Sequence, residues 1–517
     1  MTGLNRVISC GAVALSLLIS SYCAQAKAQT ALTSISSTAD TLAEYAVEQY
    51  GEKTVDSLRT LVSFNTVAVD GLTPRTNPEF IHFKQALKQL SQQLGLDYAD
   101  HGYVVLIGLG DSDSKLGVIT HGDVQPADPK LWHKSPYELD TTTEPGLLIG
   151  RGTEDDKGPI VTAMYAMKAI KDKGLILDRR IELMVYMAEE SDWEPLKQFL
   201  NTFTPADINI TIDAEYPVVT AEKGWSKISF TVPPANVSDT ELPTLSAFHG
   251  GSFASQIPQQ ASATLKHVNE TLLNQLKQRA GAQIGMHYQF LQQGDSLTIL
   301  ADGKSTHSST PEDGINAVTH LAELLKGYDW PKTQAALTQS FISEMIGLGI
   351  YAEQFGEIAY RDDFMGPMSL APTVVKETEK GTEITINLRR PLGKTPEMLD
   401  SQTQAALANW QRQHDVSLQD IATYWGEPKL MDKAPHLNTL LSVFGHFTGV
   451  KDPKPVAIGG STNSKLFPNA LSFGPAMPGV EYTGHSEHEF ITHEQFMLNL
   501  KMYTAAFVEL AVKSEIR

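Results

Sequence analysis

Four short apolar runs, at 104–107, 116–120, 181–187 and 208–212, constrain this chain most. Runs of that length, rich in Val, Ile and Leu, read as buried strands. Helical spacing separates and precedes them. Phe80, Phe83, Leu87, Leu90 and Leu94 recur on one face with Gly95 as a stop, and a second helix is expected over 160–170. Alternating strands and helices predict an α/β domain. Polar clusters stand beside these strands. His121-Gly122-Asp123 follows the second run, Glu189-Glu190 closes the third and Asp213 closes the fourth. Arg151-Gly-Thr-Glu-Asp155-Asp156-Lys-Gly158 leads into the helix at 160–170. Open α/β sheets bind ligands outside the carboxyl ends of their strands, so these clusters mark a site.

The residue types point to metal. Imidazole and carboxylate suit Zn²⁺, and a catalytic site leaves one position to water. Two ions about 3.5–4 Å apart can share a carboxylate and a water, with one of two adjacent glutamates as ligand and the other as base. Taken singly each cluster has a plainer reading. His-Gly-Asp can be a loop, Glu-Glu a solvated turn, Asp155-Asp156 a charge at a helix N-terminus, and Asp213 a surface turn. Their joint order at strand ends carries the metal reading. A fifth piece, Gly484-His485-Ser-Glu-His-Glu489, lies far downstream, where His485, His488 or His493 could each supply an imidazole.

Both cysteines, Cys10 and Cys23, fall in the first 26 residues. There Arg6, an apolar run over 7–19 and Ala24-Gln25-Ala26 follow the order of a cleavable secretory signal. Cleavage after Ala26 and a periplasmic or secreted location are expected. The mature chain would then hold no thiol ligand, nucleophile or disulfide. No other segment is apolar for long enough to span a bilayer. The net charge of −19 excludes a nucleic-acid partner, whose phosphates require clustered Lys and Arg.

The chain has 517 residues, enough for two domains. A first helix or flexible start is expected over 27–45. Strand-like pieces at 227–232, 297–300 and 383–388, with helices at 315–325 and 339–348, suggest an inserted second domain. The last part returns to α/β character with a strand at 471–473 and a closing helix over 494–510. The expected division is a signal at 1–26, a catalytic domain over 27–225 and 391–517, and the insertion over 226–390.

From about residue 50 onward the chain resembles the dinuclear-zinc peptidase family. That family includes carboxypeptidase G, the acetylornithine and succinyl-diaminopimelate deacylases, carnosinases and PepV-type dipeptidases. The PepV-like segments are Gly150-Arg-Gly-Thr-Glu-Asp-Asp-Lys-Gly-Pro159, Ile212-Asp-Ala-Glu-Tyr-Pro217, Glu222-Lys-Gly224 and Phe467-Pro-Asn…Phe473-Gly-Pro475. The resemblance implies a catalytic domain built on a central mixed sheet flanked by helices, with an inserted α+β lid. It implies two Zn²⁺ per subunit, with Co²⁺ or Mn²⁺ as possible substitutes. His121 and Asp213 would serve one ion and Glu190 and His485 the other. Asp155 would bridge them, joined to Asp156 by a cis peptide. Asp123 would orient His121, and Glu189 would be the general base.

In the lid, Gly303-Lys-Ser-Thr-His307-Ser-Ser matches a histidine that reaches the substrate carbonyl. Asn387-Leu-Arg389-Arg-Pro391 matches an arginine that binds the substrate carboxylate. The plain alternatives are a surface loop for His307 and a strand-edge charge for Arg389. Three stretches depart from the pattern: Ser255 replaces a lid asparagine, Ser191-Asp192-Trp193 follows the glutamate pair, and Ser461-Thr462-Asn463-Ser464 follows Gly459-Gly460. Trp193 could narrow the pocket or pack beneath a loop.

The implied activity is dipeptide hydrolysis, in which a metal-bridged water loses its proton to Glu189 and attacks the peptide carbonyl. The rivals are an N-acyl amino acid deacylase or carboxypeptidase on the same fold, and a non-catalytic periplasmic zinc- or peptide-binding protein. A small peptide is the expected partner. Oligomeric state stays open, since some relatives dimerise through the lid and longer lids close within one chain.

Overall fold

The computed structural model describes residues 34–235, 237 and 241–513. The expected signal at 1–26 lies outside them. The expected strands form around one sheet. Its hydrogen-bonded order is Asp97–Asp100, Val104–Leu109, Arg180–Tyr186, Lys115–His121, Ile208–Thr211, Ala470–Ser472, Val219–Glu222 and Lys429–Leu430, with Val456–Ile458 also on Val219–Glu222. Lys115–His121 runs parallel to both Arg180–Tyr186 and Ile208–Thr211, whereas Val104–Leu109 runs antiparallel. The sheet is therefore mixed. Val118, Ile119, Leu183, Val185 and Ile210 are all buried, as expected of strands covered on both faces.

Helices complete the layers. Ser37–Val62 fills the second half of the segment expected as a first helix or flexible start, capped by Ser36, whose hydroxyl accepts from Ala39 N at 3.1 Å. Pro78–Leu94 begins after the Asn77 cap and stops at Gly95, which takes φ 69°. Lys157–Asp172 and His493–Ala511 pack beside Ser37–Val62, and all contribute to one core cluster. No helix among the described residues is long and apolar enough to cross a membrane.

The second unit is an eight-stranded sheet ordered His287–Gln293, Ser296–Asp302, Gln260–Lys266, Thr244–Gly250, Ser369–Thr378, Gly381–Arg390, Gly224–Val232 and Gln419–Trp425. Its neighbours pair antiparallel throughout. Helices Ala317–Leu325 and Gln334–Phe341 bury Leu321, Leu325 and Phe341 in its separate core. The helix expected over 339–348 starts earlier because Thr333 caps it, accepting from Ala336 N at 3.0 Å.

The expected boundary at 390 is too early. Leu399, Leu407 and Trp410 of Pro396–His414 belong to the second core, and Gln419–Trp425 pairs with Gly224–Val232. The second unit thus runs from about Gly224 to Trp425. Those apolar residues could be assigned to either domain until the strand partner was known.

Candidate metal centre

Three parallel strands bring the first half of the site together. His121 ends its strand opposite Tyr186, and Ile119 stands opposite Thr211. Glu189-Glu190 and Asp213 lie two to four residues beyond those partners, so all three clusters leave the same edge of the sheet. Asp155 arrives from the turn before Lys157–Asp172. That turn needs Gly158, because a Cβ there would stand 2.1 Å from the Thr153 carbonyl oxygen. The peptide joining Asp155 to Asp156 is cis, as the family resemblance implied.

Two groups of ligand atoms result. His121, Asp155 and Asp213 form one, and Asp155, Glu190 and His485 the other, each within 4.8 Å. His121 Nε2 lies 2.8 Å from Asp155 Oδ1 and 3.5 Å from Asp213 Oδ1. His485 Nε2 lies 3.1 Å from Asp155 Oδ2 and 2.8 Å from Glu190 Oε1. One carboxylate thus presents a separate oxygen to each triad. An all-nitrogen and oxygen donor set fits two borderline divalent ions, whose charge would offset three clustered carboxylates. Of the candidate histidines, His485 is the one brought to the site. His488 instead pairs with Glu144 at 2.7 Å, and His493 opens the closing helix.

The surroundings hold these atoms in place. Asp123 accepts from Glu189 N and Glu190 N, each at 3.0 Å, while its backbone carbonyl sits 3.0 Å from His121 Nδ1. Asp123 therefore fixes the glutamate turn with its carboxylate and orients His121 mainly through its carbonyl, its carboxylate lying farther from the ring at 3.5 Å. Fixing Nδ1 as the donor leaves Nε2 as the ligand atom. Buried Glu489 accepts from Gly152, Glu154 and Asp155 backbone N–H groups at 2.9–3.0 Å and pairs with Arg151 at 3.0 Å. It anchors the loop that carries Asp155.

The electrostatics are those of a crowded acidic centre. Burial and Asp213 push the Glu189 carboxyl well above its ordinary range. Burial disfavours a charged His485, yet Glu190 and Asp155 outweigh it and push the imidazole up to about 10. The same balance, dominated after burial by Asp213, raises His121.

The lid faces this centre across a cavity of about 1010 Å³ lined by Asp155, Glu189, Asp213, His307, Arg389 and His485 among others. His307 and His485 meet edge to face with ring centroids 4.7 Å apart. Ser309 N donates to His307 Nδ1 at 3.3 Å, so Nε2 carries the proton of a neutral ring. Burial, His485 and Arg389 all hold that ring neutral. Arg389 is 3% exposed. It donates to Ser308 Oγ at 2.8 Å and Asn387 Oδ1 at 3.1 Å, and has no carboxylate partner among the described residues. Burial pushes its guanidinium down to about 9.

Several contacts were not read from the sequence. Tyr482 OH donates to Asp155 Oδ2 at 2.6 Å, Gln125 Nε2 to Glu190 Oε2 at 2.8 Å, and Asn463 N to Glu189 Oε1 at 3.2 Å. Tyr482 stands three residues before His485, which was the only available cue. Both readings of Trp193 hold: it packs on the main core, lines the cavity and donates to the Glu189 carbonyl at 2.7 Å. Ser255 also lines the cavity, with its carbonyl accepting from Ser308 N at 2.8 Å.

The model of peptidase family M20/M25/M40 matches residues 117–509. A Beta-Ala-Xaa dipeptidase of Lactobacillus delbrueckii subsp. lactis is 28% identical over 418 residues, which cover 80% of this chain and 86% of that protein. Among solved structures, human carnosine dipeptidase 1 superposes with a TM-score of 0.57 at 16% identity, covering 92% of this chain and 99% of the other. The di-peptidase Dug1p of Saccharomyces cerevisiae gives 0.55 at 14% identity, covering 91% and 98%. These two likenesses speak for the fold, a catalytic sheet domain with a lid. Matched over residues 117–509, most of its length, this chain belongs to peptidase family M20/M25/M40.

Proposed function

We propose that the protein is a two-zinc dipeptidase, exported by a cleavable N-terminal signal. The observation that carries the metal part is Asp155, whose two oxygens face two separate imidazoles. The zinc assignment rests on the nitrogen and oxygen donor set, and Co²⁺ or Mn²⁺ would also fit it. Export is supported by Arg6, the apolar run over 7–19 and Ala24-Gln25-Ala26.

When bound, the two ions would acidify a shared water and polarise the scissile carbonyl. Glu189 takes the proton of the attacking water and passes it to the leaving nitrogen as the C–N bond breaks. His307, neutral with hydrogen on Nε2, donates toward the carbonyl oxygen as negative charge develops there. Arg389, buried without an acidic partner among the described residues, binds the free C-terminal carboxylate as a forked donor. Arg389 lines the same cavity as residues of both triads, which favours short peptides. The similarity to a Beta-Ala-Xaa dipeptidase supports the same reading.

The test is a panel of free dipeptides, N-acetyl amino acids and longer peptides offered to zinc-loaded protein. Free dipeptides are expected to be cleaved fastest. Cleavage of N-acetyl amino acids without dipeptides would replace this reading with a deacylase.

A further inference from the structure

The catalytic wall of the cavity carries one carboxylate that neither the metal cradle nor the fold uses. Asp123, Glu154, Glu222 and Glu489 each accept backbone N–H groups, and Glu190 meets Gln125 and His485. Glu215 is different. It lines the cavity and is partly buried, yet its side chain makes no hydrogen bond or ion pair among the described residues. Withdrawing a carboxylate from water without a partner is costly.

Its position is defined by the backbone. Ala214–Glu215 pairs in parallel with Pro475–Ala476, and all four residues line the cavity. Glu215 follows Asp213 by two residues, and both line the same cavity. Arg389 and His307 occupy the lid wall. A peptide with its carbonyl at the triads and its carboxylate on Arg389 has one further charged group, the α-ammonium of its first residue.

We propose that Glu215 is a specificity-determining residue that binds the free ammonium of the substrate's N-terminal residue. The inference deepens the dipeptidase reading and rests on it. The pocket would then recognise a dipeptide at both ends, by a carboxylate on one wall and a guanidinium on the other. An N-acyl cap removes the positive charge and leaves Glu215 facing a neutral amide. Free dipeptides are therefore selected over N-acylated ones by binding, while the bond cleaved stays the same.

The test compares Gly-Leu with N-acetyl-Gly-Leu, both cut at the Gly-Leu bond, using wild type, Glu215→Gln and Glu215→Asp loaded with zinc. Wild type is expected to prefer the free dipeptide by about 100-fold in kcat/KM. Glu215→Gln is expected to lose most of that preference through a raised KM for Gly-Leu, with metal content and the rate on N-acetyl-Gly-Leu nearly unchanged. Glu215→Asp, which keeps the charge at shorter reach, is expected to fall between the two. A wild-type preference retained in Glu215→Gln would overturn the proposal, as would equal loss on both substrates with metal retained. If Glu215→Gln does not fold, Glu215→Asp decides, because an undiminished preference there counts against the assignment. Failure of wild type to cut any free dipeptide would instead remove the dipeptidase reading itself.

Discussion

Arg151 and Arg389 are buried to nearly the same depth, 1% and 3% exposed, and are used in opposite ways. Arg151, in the catalytic unit, is paired with buried Glu489, which also takes three backbone N–H groups of the Asp155 loop. Arg389, in the lid, is held by neutral oxygens only. The first arrangement supplies the countercharge within the fold and ties down the loop that carries Asp155. The second leaves a desolvated positive charge whose partner must come from outside. One region is organised for the chemistry and the other for recognition, so damage to each should read out differently.

The largest effect is expected at the centre itself. Glu189→Gln should lower kcat by roughly 10²–10⁴-fold, the usual worth of a positioned general base. Zinc content measured on the same sample should not change. Residual turnover near wild type would remove Glu189 from the proton transfer.

Glu489→Gln should act through stability. It leaves Arg151 buried without a full countercharge, and breaking a buried pair this way costs about 3–5 kcal/mol. Denaturant unfolding should show that loss together with weakened metal retention. Arg389→Met should do the reverse. Replacing an unpaired buried cation with an apolar side chain should leave the melting temperature equal or higher, while kcat/KM on dipeptides drops about 100-fold. Dipeptide amides, which lack the carboxylate, should be affected far less. Equal sensitivity of acids and amides would contradict the carboxylate role.

The empty centre should also show a pH slope. Without metal, carboxylates hold a proton on His121 and His485, the latter with a pKa raised to about 10. Each proton must leave before Nε2 can act as a ligand, so protons and metal compete. Metal affinity should fall as pH falls, by about tenfold per unit for each proton displaced. Competition titrations with a chelator at pH 8 and pH 6 would measure the slope, and a flat profile would contradict protonated imidazoles in the empty site.

The two regions also differed in how far they could be read from sequence. His121, Glu189-Glu190 and Asp213 each stand next to an apolar run, so strand prediction alone located them at one sheet edge. Asp155 and His485 required the family pattern, because nothing local says that a turn before a helix and a loop more than 300 residues later meet the same ion. The lid was harder still. Arg389 sits in an ordinary strand that only the family pattern singled out, and its lack of an acidic partner among the described residues is a property of three-dimensional contacts. Glu489 was visible as part of a motif, but its role as anchor of the Asp155 loop was not. The lid boundary was misplaced for the same reason: Leu399, Leu407 and Trp410 are apolar wherever the chain sends them.

The account's central claim is a pair of metal ions sharing Asp155, and stepwise zinc titration of metal-free protein tests it most directly. Bound zinc and hydrolysis of a free dipeptide would be followed on the same sample. Two ions per chain are predicted, with full activity reached only as the second binds, and with Asp155→Asn impairing both sites together. Saturation at one ion with full activity, or dipeptide hydrolysis that persists in thoroughly chelated protein, would contradict it.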